Sequence, residues 1–192
     1  MEDGAIPKLH QLMNKNDVRD VVFSQDQVVT IAGGHFGSHL MEEGAIPKLQ
    51  QLMNGSDHGD VVFSPDQVVT IAGGHFGSHL MEEDAISKLQ QLLQLVNGNE
   101  SLFNPQDVVT IAGGNFGSHL MKDGTMYTVI SLNNSKHFTK KDINSIVRGT
   151  GGRHLWKNTA FKKLEELRKF NGDVNFFTTI HTDNFWKTVP SK

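Results

Sequence analysis

Residues 23–54 read FSQDQVVTIAGGHFGSHLMEEGAIPKLQQLMN, and nearly the same string returns at Phe63 and, more loosely, at Phe103, which sets a period of 40 residues. Self-similarity at such a period marks a repeat architecture, in which one supersecondary unit recurs because it cannot bury its apolar face alone. A divergent copy starts at Phe138, 35 residues after Phe103, where FTKKDINSIVRGTGGRHLW keeps Phe138, Asp142, Ile146, Gly149, Gly152, His154 and Leu155 in register. The opening MEDGAIPKLHQLMN matches MEEGAIPKLQQLMN from Met41, in the middle of a unit. Either the array extends upstream or this half-unit serves as an amino-terminal cap. The expected organisation is a partial repeat or cap over 1–22, repeats over 23–62, 63–102 and 103–137, a divergent basic repeat over 138–175, and a tail or cap over 176–192.

Within a unit, Ser64-Pro65-Asp66 reads as a helix start, with a hydroxyl N-cap, proline at the first helical position and an acid near the positive end of the helix dipole. Val68, Ile71 and Ala72 then share one helical face, and the first helix is short. Gly73-Gly74-His75-Phe76-Gly77 ends it with three glycines in five residues, which suits a tight loop with positive φ. Ser78 is placed to cap a second helix whose apolar positions include Met81, Ala85, Leu89 and Leu92. In the preceding copy that helix contains Gly44 and Pro47, where a proline is expected to remove one backbone hydrogen bond and kink the helix, but the next copy has Asp84 and Ser87 there, so the kink is allowed and not required. Polar, turn-rich linkers such as 54–60 and 97–100 separate the units. Short helices in pairs are marginal in water, so the pattern predicts an all-α fold, a superhelix of stacked helix-loop-helix units.

The 192-residue chain has no cysteine, which removes disulfides, thiolate metal sites and cysteine nucleophiles and leans towards a reducing compartment. Its start is acidic, without the apolar stretch of a Sec signal, and no apolar run approaches the roughly 20 residues of a membrane span. The net charge of -3 hides an asymmetry: residues 1–135 carry 6 lysines and arginines against 16 acids, whereas 136–192 carry 12 against 5. The carboxy-terminal third is therefore basic.

SPDQVVTIAGG, a two-residue loop, a glycine and a second helix with an internal proline resemble the repeat of transcription activator-like (TAL) effectors and their bacterial TAL-like relatives. The likeness spans roughly residues 23–170, closest over the first helix and loop. It implies a right-handed superhelical solenoid that follows double-stranded DNA, each loop entering the major groove and one loop residue per unit facing a base. Mapped onto this chain, the base-facing residues are His35, His75, Asn115 and Thr150, supported by Gly34, Gly74, Gly114 and Gly149. The glycines whose amides approach phosphate become Gly37, Gly77, Gly117, Gly151 and Gly152, with Arg153 and Lys157 as further backbone contacts. The family's following lysine-glutamine is replaced by Ser38-His39, Ser78-His79 and Ser118-His119, and by Arg153-His154 in the last unit, so the first three units lack a fixed cation there. Histidine and asparagine at the base-facing place resemble members that prefer guanine, through its major-groove acceptors. The resemblance implies a monomer without cofactor, working in a bacterial cytoplasm or, as a secreted effector, in a host nucleus.

Each feature also has a plainer reading. The pairs His35/His39 and His75/His79 have a metal-compatible spacing, but no carboxylate or cysteine partner recurs beside the loop. The glycine loop follows a helix and lacks the lysine and Ser/Thr of a P-loop, which argues against nucleotide binding. Phe36, Phe76 and Phe116 are either exposed contacts or packing between units. The stretch from Lys136 to Lys169 is either a DNA-backbone face or the solvated face of a terminal unit, and the aromatics Phe176, Phe177, Phe185 and Trp186 are expected to fold back on the last unit. No nucleophile, base and orienting group stand out, so binding rather than catalysis is expected, to DNA or to a protein partner of a helical scaffold.

Overall fold

The computed structural model describes residues 5–14, 22–55 and 62–171. The expected tail packing of 176–192, and much of the first half-unit, lie outside the described residues. Nine α-helices are present among the described residues: α1 (Ala5–Met13), α2 (Gln25–Gly33), α3 (Ala45–Asn54), α4 (Pro65–Gly73), α5 (Ala85–Gln94), α6 (Pro105–Gly113), α7 (Thr125–Asn134), α8 (Lys140–Arg148) and α9 (Ala160–Asn171). A 3₁₀ turn follows each first helix of a unit, at His35–His39, His75–His79, Gly117–His119 and Thr150–His154. The chain is thus predominantly helical. One exception is a short antiparallel hairpin, β1 (Val96–Asn97) with β2 (Glu100–Ser101), paired Val96 to Ser101 and Asn97 to Glu100 where a plain polar linker was expected.

The first helices start where the sequence places them, for a local reason. Ser24, Ser64, Asn104 and Thr139 each accept the amide of the residue three later with their side chains, while Gln27, Gln67, Asp107 and Asp142 reach back to the cap's own amide. Two amide donors that the helix leaves unpaired are satisfied at each start.

Three local expectations are corrected. The loop glycines do not use positive φ: Gly34, Gly74, Gly114 and Gly149 are extended, and among the described residues positive φ belongs to Gly44, Gly55, Gly98 and Gly124. Ser78 does not cap the second helix; its hydroxyl donates to the His75 carbonyl at 3.0 Å inside the 3₁₀ turn, and α5 begins only at Ala85. Pro47 is the third residue of α3, in a first turn whose amides have no intrahelical partner, so it removes no hydrogen bond and calls for no kink.

The core is built by like residues on like. Phe36, Phe76 and Phe116 are 0%, 0% and 2% exposed, which decides their role as packing. The columns Ile31, Ile71, Ile111, Ile146 and Leu40, Leu80, Leu120, Leu155 are buried beside them, in one continuous cluster. Val68, Ile71, Ala72, Ala85, Leu89 and Leu92 are buried as the helical spacing predicts, whereas Met81 is only partly buried and lies in the turn before α5. Each buried large apolar side chain contributes on the order of 2–3 kcal/mol. Equivalent helices of successive units touch, α2 on α4, α4 on α6 and α6 on α8, as do the first three 3₁₀ turns in order.

Polar contacts repeat along the same direction. Gln27 Nε2 donates to Asp66 Oδ1 at 2.7 Å and Gln67 Nε2 to Gln106 Oε1 at 3.4 Å. Lys8 Nζ donates to the carbonyls of Met41 and Glu42, and Lys48 Nζ to that of Glu82 at 3.4 Å, so these lysines tie a unit to the turn of the next.

Candidate nucleic-acid interface

The loops lie against one another at their backbones. A Cβ on Gly34 would come 2.4 Å from the Gly73 Cα, and one on Gly74 would come 2.3 Å from the Gly113 Cα. The second loop glycine is confined by its own unit: a Cβ on Gly37, Gly77, Gly117 or Gly152 would lie 2.0, 2.0, 2.1 or 2.3 Å from the carbonyl oxygen of Ala32, Ala72, Ala112 or Val147. Glycine is needed here for close approach and not for handedness.

That packing changes what the second glycines do. The amides of Gly37, Gly77, Gly117 and Gly152 donate to the carbonyls of Gly34, Gly74, Gly114 and Gly149 at 2.9–3.0 Å, and Gly77, Gly117 and Gly152 are buried. These amides thus close their own loops. Gly151 and Thr150 belong to the last 3₁₀ turn, but their side-chain surroundings lie outside the described residues.

Three of the residues expected to face bases have described side chains. His35 and Asn115 are exposed and His75 is half-buried. The rings of His35 and His75 meet with centroids 4.8 Å apart and planes tilted by 34°, so successive loops bring the same side chain into a row. Burial, and secondarily the charge of His35, holds the His75 imidazole below its ordinary pKa. Beside the row runs an open groove lined by Thr30, Gly33, Gly34, Val69, Thr70, Gly73, Gly74, Thr110 and Gly113. It meets a second groove at Thr110, lined further by Asp107, Lys140, Lys141, Asn144, Ser145, Arg148 and Gly149. The floor is the same set of repeat positions throughout, threonine and glycine in the first three units and Ser145 and Arg148 in the last. Arg148 pairs with Asp107 at 3.3 Å.

The positions after the loop differ in charge from unit to unit. Ser38, Ser78 and Ser118 turn their hydroxyls back onto the carbonyls of His35, His75 and Asn115. Against expectation a carboxylate does recur beside these histidines: His39 Nδ1 meets Glu42 at 2.6 Å and His79 Nδ1 meets Glu82, while His79 Nε2 faces the Ser118 carbonyl at 3.1 Å. In the third unit the glutamate is replaced by Lys122, and the buried Nδ1 of His119 has no hydrogen-bond partner among the described residues. His119 is held below the ordinary imidazole pKa, first by burial and then by Lys122, His79, Arg153 and His75. Arg153 is half-buried and its Nε donates to His154 Nε2 at 3.2 Å; Lys157 lies with Nζ 5.9 Å from the Trp156 ring centroid.

Sequence reasoning placed Arg153, Lys157 and, within the basic stretch, Trp156 at this end but missed Lys122. Aligning one column, Glu42, Glu82, Lys122 and Lys157, would have exposed the reversal of charge. No protein-family model, curated protein or solved structure was found to match the chain. No helix among the described residues is long and apolar enough to cross a membrane.

Proposed function

We propose that this chain is a right-handed superhelical solenoid that binds double-stranded DNA, with the loops of its units in the major groove. The reading rests above all on the row formed by His35 and His75, whose 4.8 Å ring spacing is of the order of the ~3.4 Å rise between bases of one strand. Asn115 continues the row at the equivalent position of the next loop, and imidazole and carboxamide both offer donors to the guanine O6 and N7 acceptors. Thr150 takes the corresponding place in the last unit. Backbone attraction comes from the basic end, where Arg153 and Lys157 lie.

The test is a fluorescence-anisotropy titration into a guanine-rich and a guanine-poor duplex of equal length, at low and at physiological salt. Tighter binding of the guanine-rich duplex that persists at physiological salt is expected. No binding to either at low salt would overturn the reading.

A second reading, a protein-binding helical scaffold, is favoured by one observation: Glu42, Glu43, Glu82, Glu83 and Asp84 are all exposed along one edge of the first two units. Such an acidic ridge repels phosphate and suits a basic polypeptide. Binding that ignores duplex DNA but responds to a basic peptide would favour it.

A further inference from the structure

The turn that closes each loop carries, at one repeat position, Glu42, Glu82, Lys122 and Lys157 in chain order. The two lysines converge on one ring: Lys122 Nζ lies 4.5 Å and Lys157 Nζ 5.9 Å from the Trp156 centroid. Both are within the range of a cation–π contact, in which the electron-rich face of the indole attracts an ammonium group. Trp156 is only half-buried and Lys122 is exposed, so the cluster is open to a ligand. It lines a surface depression with Met121, Asp123, Lys157 and Asn158, of which Asp123 is the one acid. The Trp156 ring also reaches the His119 ring, 6.3 Å between centroids, which joins the cluster to the loop that presents Asn115.

We infer that Lys122, Trp156 and Lys157 form an anchoring site for a backbone phosphate of the DNA, and that the array holds the backbone at this end while its first two units do not. The inference rests on the DNA reading above and adds to it where the strand is gripped. Two ammonium groups drawn to one indole repel each other, and an anion between them relieves that repulsion. The His119 imidazole is held below its ordinary pKa first by burial and then by the charges of Lys122, His79 and Arg153, two of them fixed cations of the same neighbourhood. At the equivalent positions of the first two units, Glu42 and Glu82 engage His39 and His79 and offer phosphate only negative charge. The ligand is a phosphodiester because the cluster adjoins a base-facing loop, and a strand read at Asn115 carries its phosphates past this turn.

The experiment uses the full chain carrying Trp186→Phe, which leaves Trp156 as the only tryptophan. Its emission is followed while duplex DNA is added, and affinity is measured against salt for this protein and for Lys122→Gln, Lys157→Gln and the double variant Glu42→Gln/Glu82→Gln. Emission from Trp156 should change on binding. Each lysine variant should bind several-fold more weakly, with the slope of log affinity against log salt reduced by about 1. The glutamate variant should keep the original slope. A duplex that binds without moving Trp156 emission, or with an unchanged slope in both lysine variants, overturns the anchoring site and leaves the DNA reading intact. Absence of any duplex binding overturns both. If a lysine variant fails to fold, as circular dichroism would reveal, the emission of the Trp186→Phe protein decides alone.

Discussion

A methyl group on Gly74 would sit 2.3 Å from the Cα of Gly113, so these two glycines of successive units are in backbone contact. By contrast, a Cβ on Gly33, in the last turn of α2, meets nothing within 4 Å. Gly74→Ala must push two loops apart and should destabilise the protein by roughly 2–4 kcal/mol. Gly33→Ala should be neutral or stabilise by up to about 1 kcal/mol, because helix propensity is its only consequence. Urea unfolding followed by circular dichroism separates the two; equal effects would refute the packing argument.

Phe76 is 0% exposed while its neighbour His75 is only half-buried. Phe76→Ala should cost about 3–5 kcal/mol by loss of burial and creation of a cavity. His75→Ala removes a half-buried ring and should cost much less, no more than about 1 kcal/mol. Thermal denaturation of both variants checks the division of the loop into one packing and one presenting residue.

Asp142 is 5% exposed and has two duties, accepting the Thr139 amide at the start of α8 and meeting Arg168 at 3.5 Å. Asp142→Ala removes a cap and leaves the guanidinium without this partner, so a loss of roughly 2–4 kcal/mol is expected. Asp142→Asn keeps an acceptor for the amide and should lose less. Chemical denaturation of the two variants gives the comparison, and an alanine variant as stable as wild type would contradict it.

Stability should also respond to pH through His119. Its folded-state pKa lies below the unfolded value of about 6.5, so the unfolded chain takes up the proton first as pH falls. The contribution of the neutral ring is fully present above about pH 6.5 and is lost as pH drops from there through the folded pKa. His119→Gln should therefore flatten the fall in melting temperature over that acidic window and leave the values above pH 7 parallel. A variant whose melting temperature tracks wild type at every pH would show that this ring carries no such linkage.

The sequence by itself determined the period, the starts of the first helices and the apolar face of the first helix. Each of these is a local or strictly repeated property. A Ser-Pro-Asp start works through amides three residues away, and a residue buried in one copy, such as Ile71, is buried again as Ile31 and Ile111 because the units repeat the same fold and neighbours, whereas the role of Phe36, Phe76 and Phe116 waited on the structure. The mostly helical character was legible for that reason.

Most of what only the tertiary structure decided involves atoms some 35–40 residues apart. The three glycines of each loop looked alike in sequence, yet Gly74 is held by the next unit, Gly77 by its own helix end, and Gly73 lies within ordinary contact of Thr30. The pairing of Arg148 with Asp107 also came from contact with a neighbour, as did the bonds by which Asn133 holds Asn97 and Val96 of the small hairpin. Charge was the most misleading signal. A count of lysines cannot separate Lys48, which donates to the Glu82 carbonyl, from Lys122, which stands exposed over Trp156. Composition counts charges without their surroundings, and it is the stacking of one unit on the next that tethers one lysine and leaves another facing solvent.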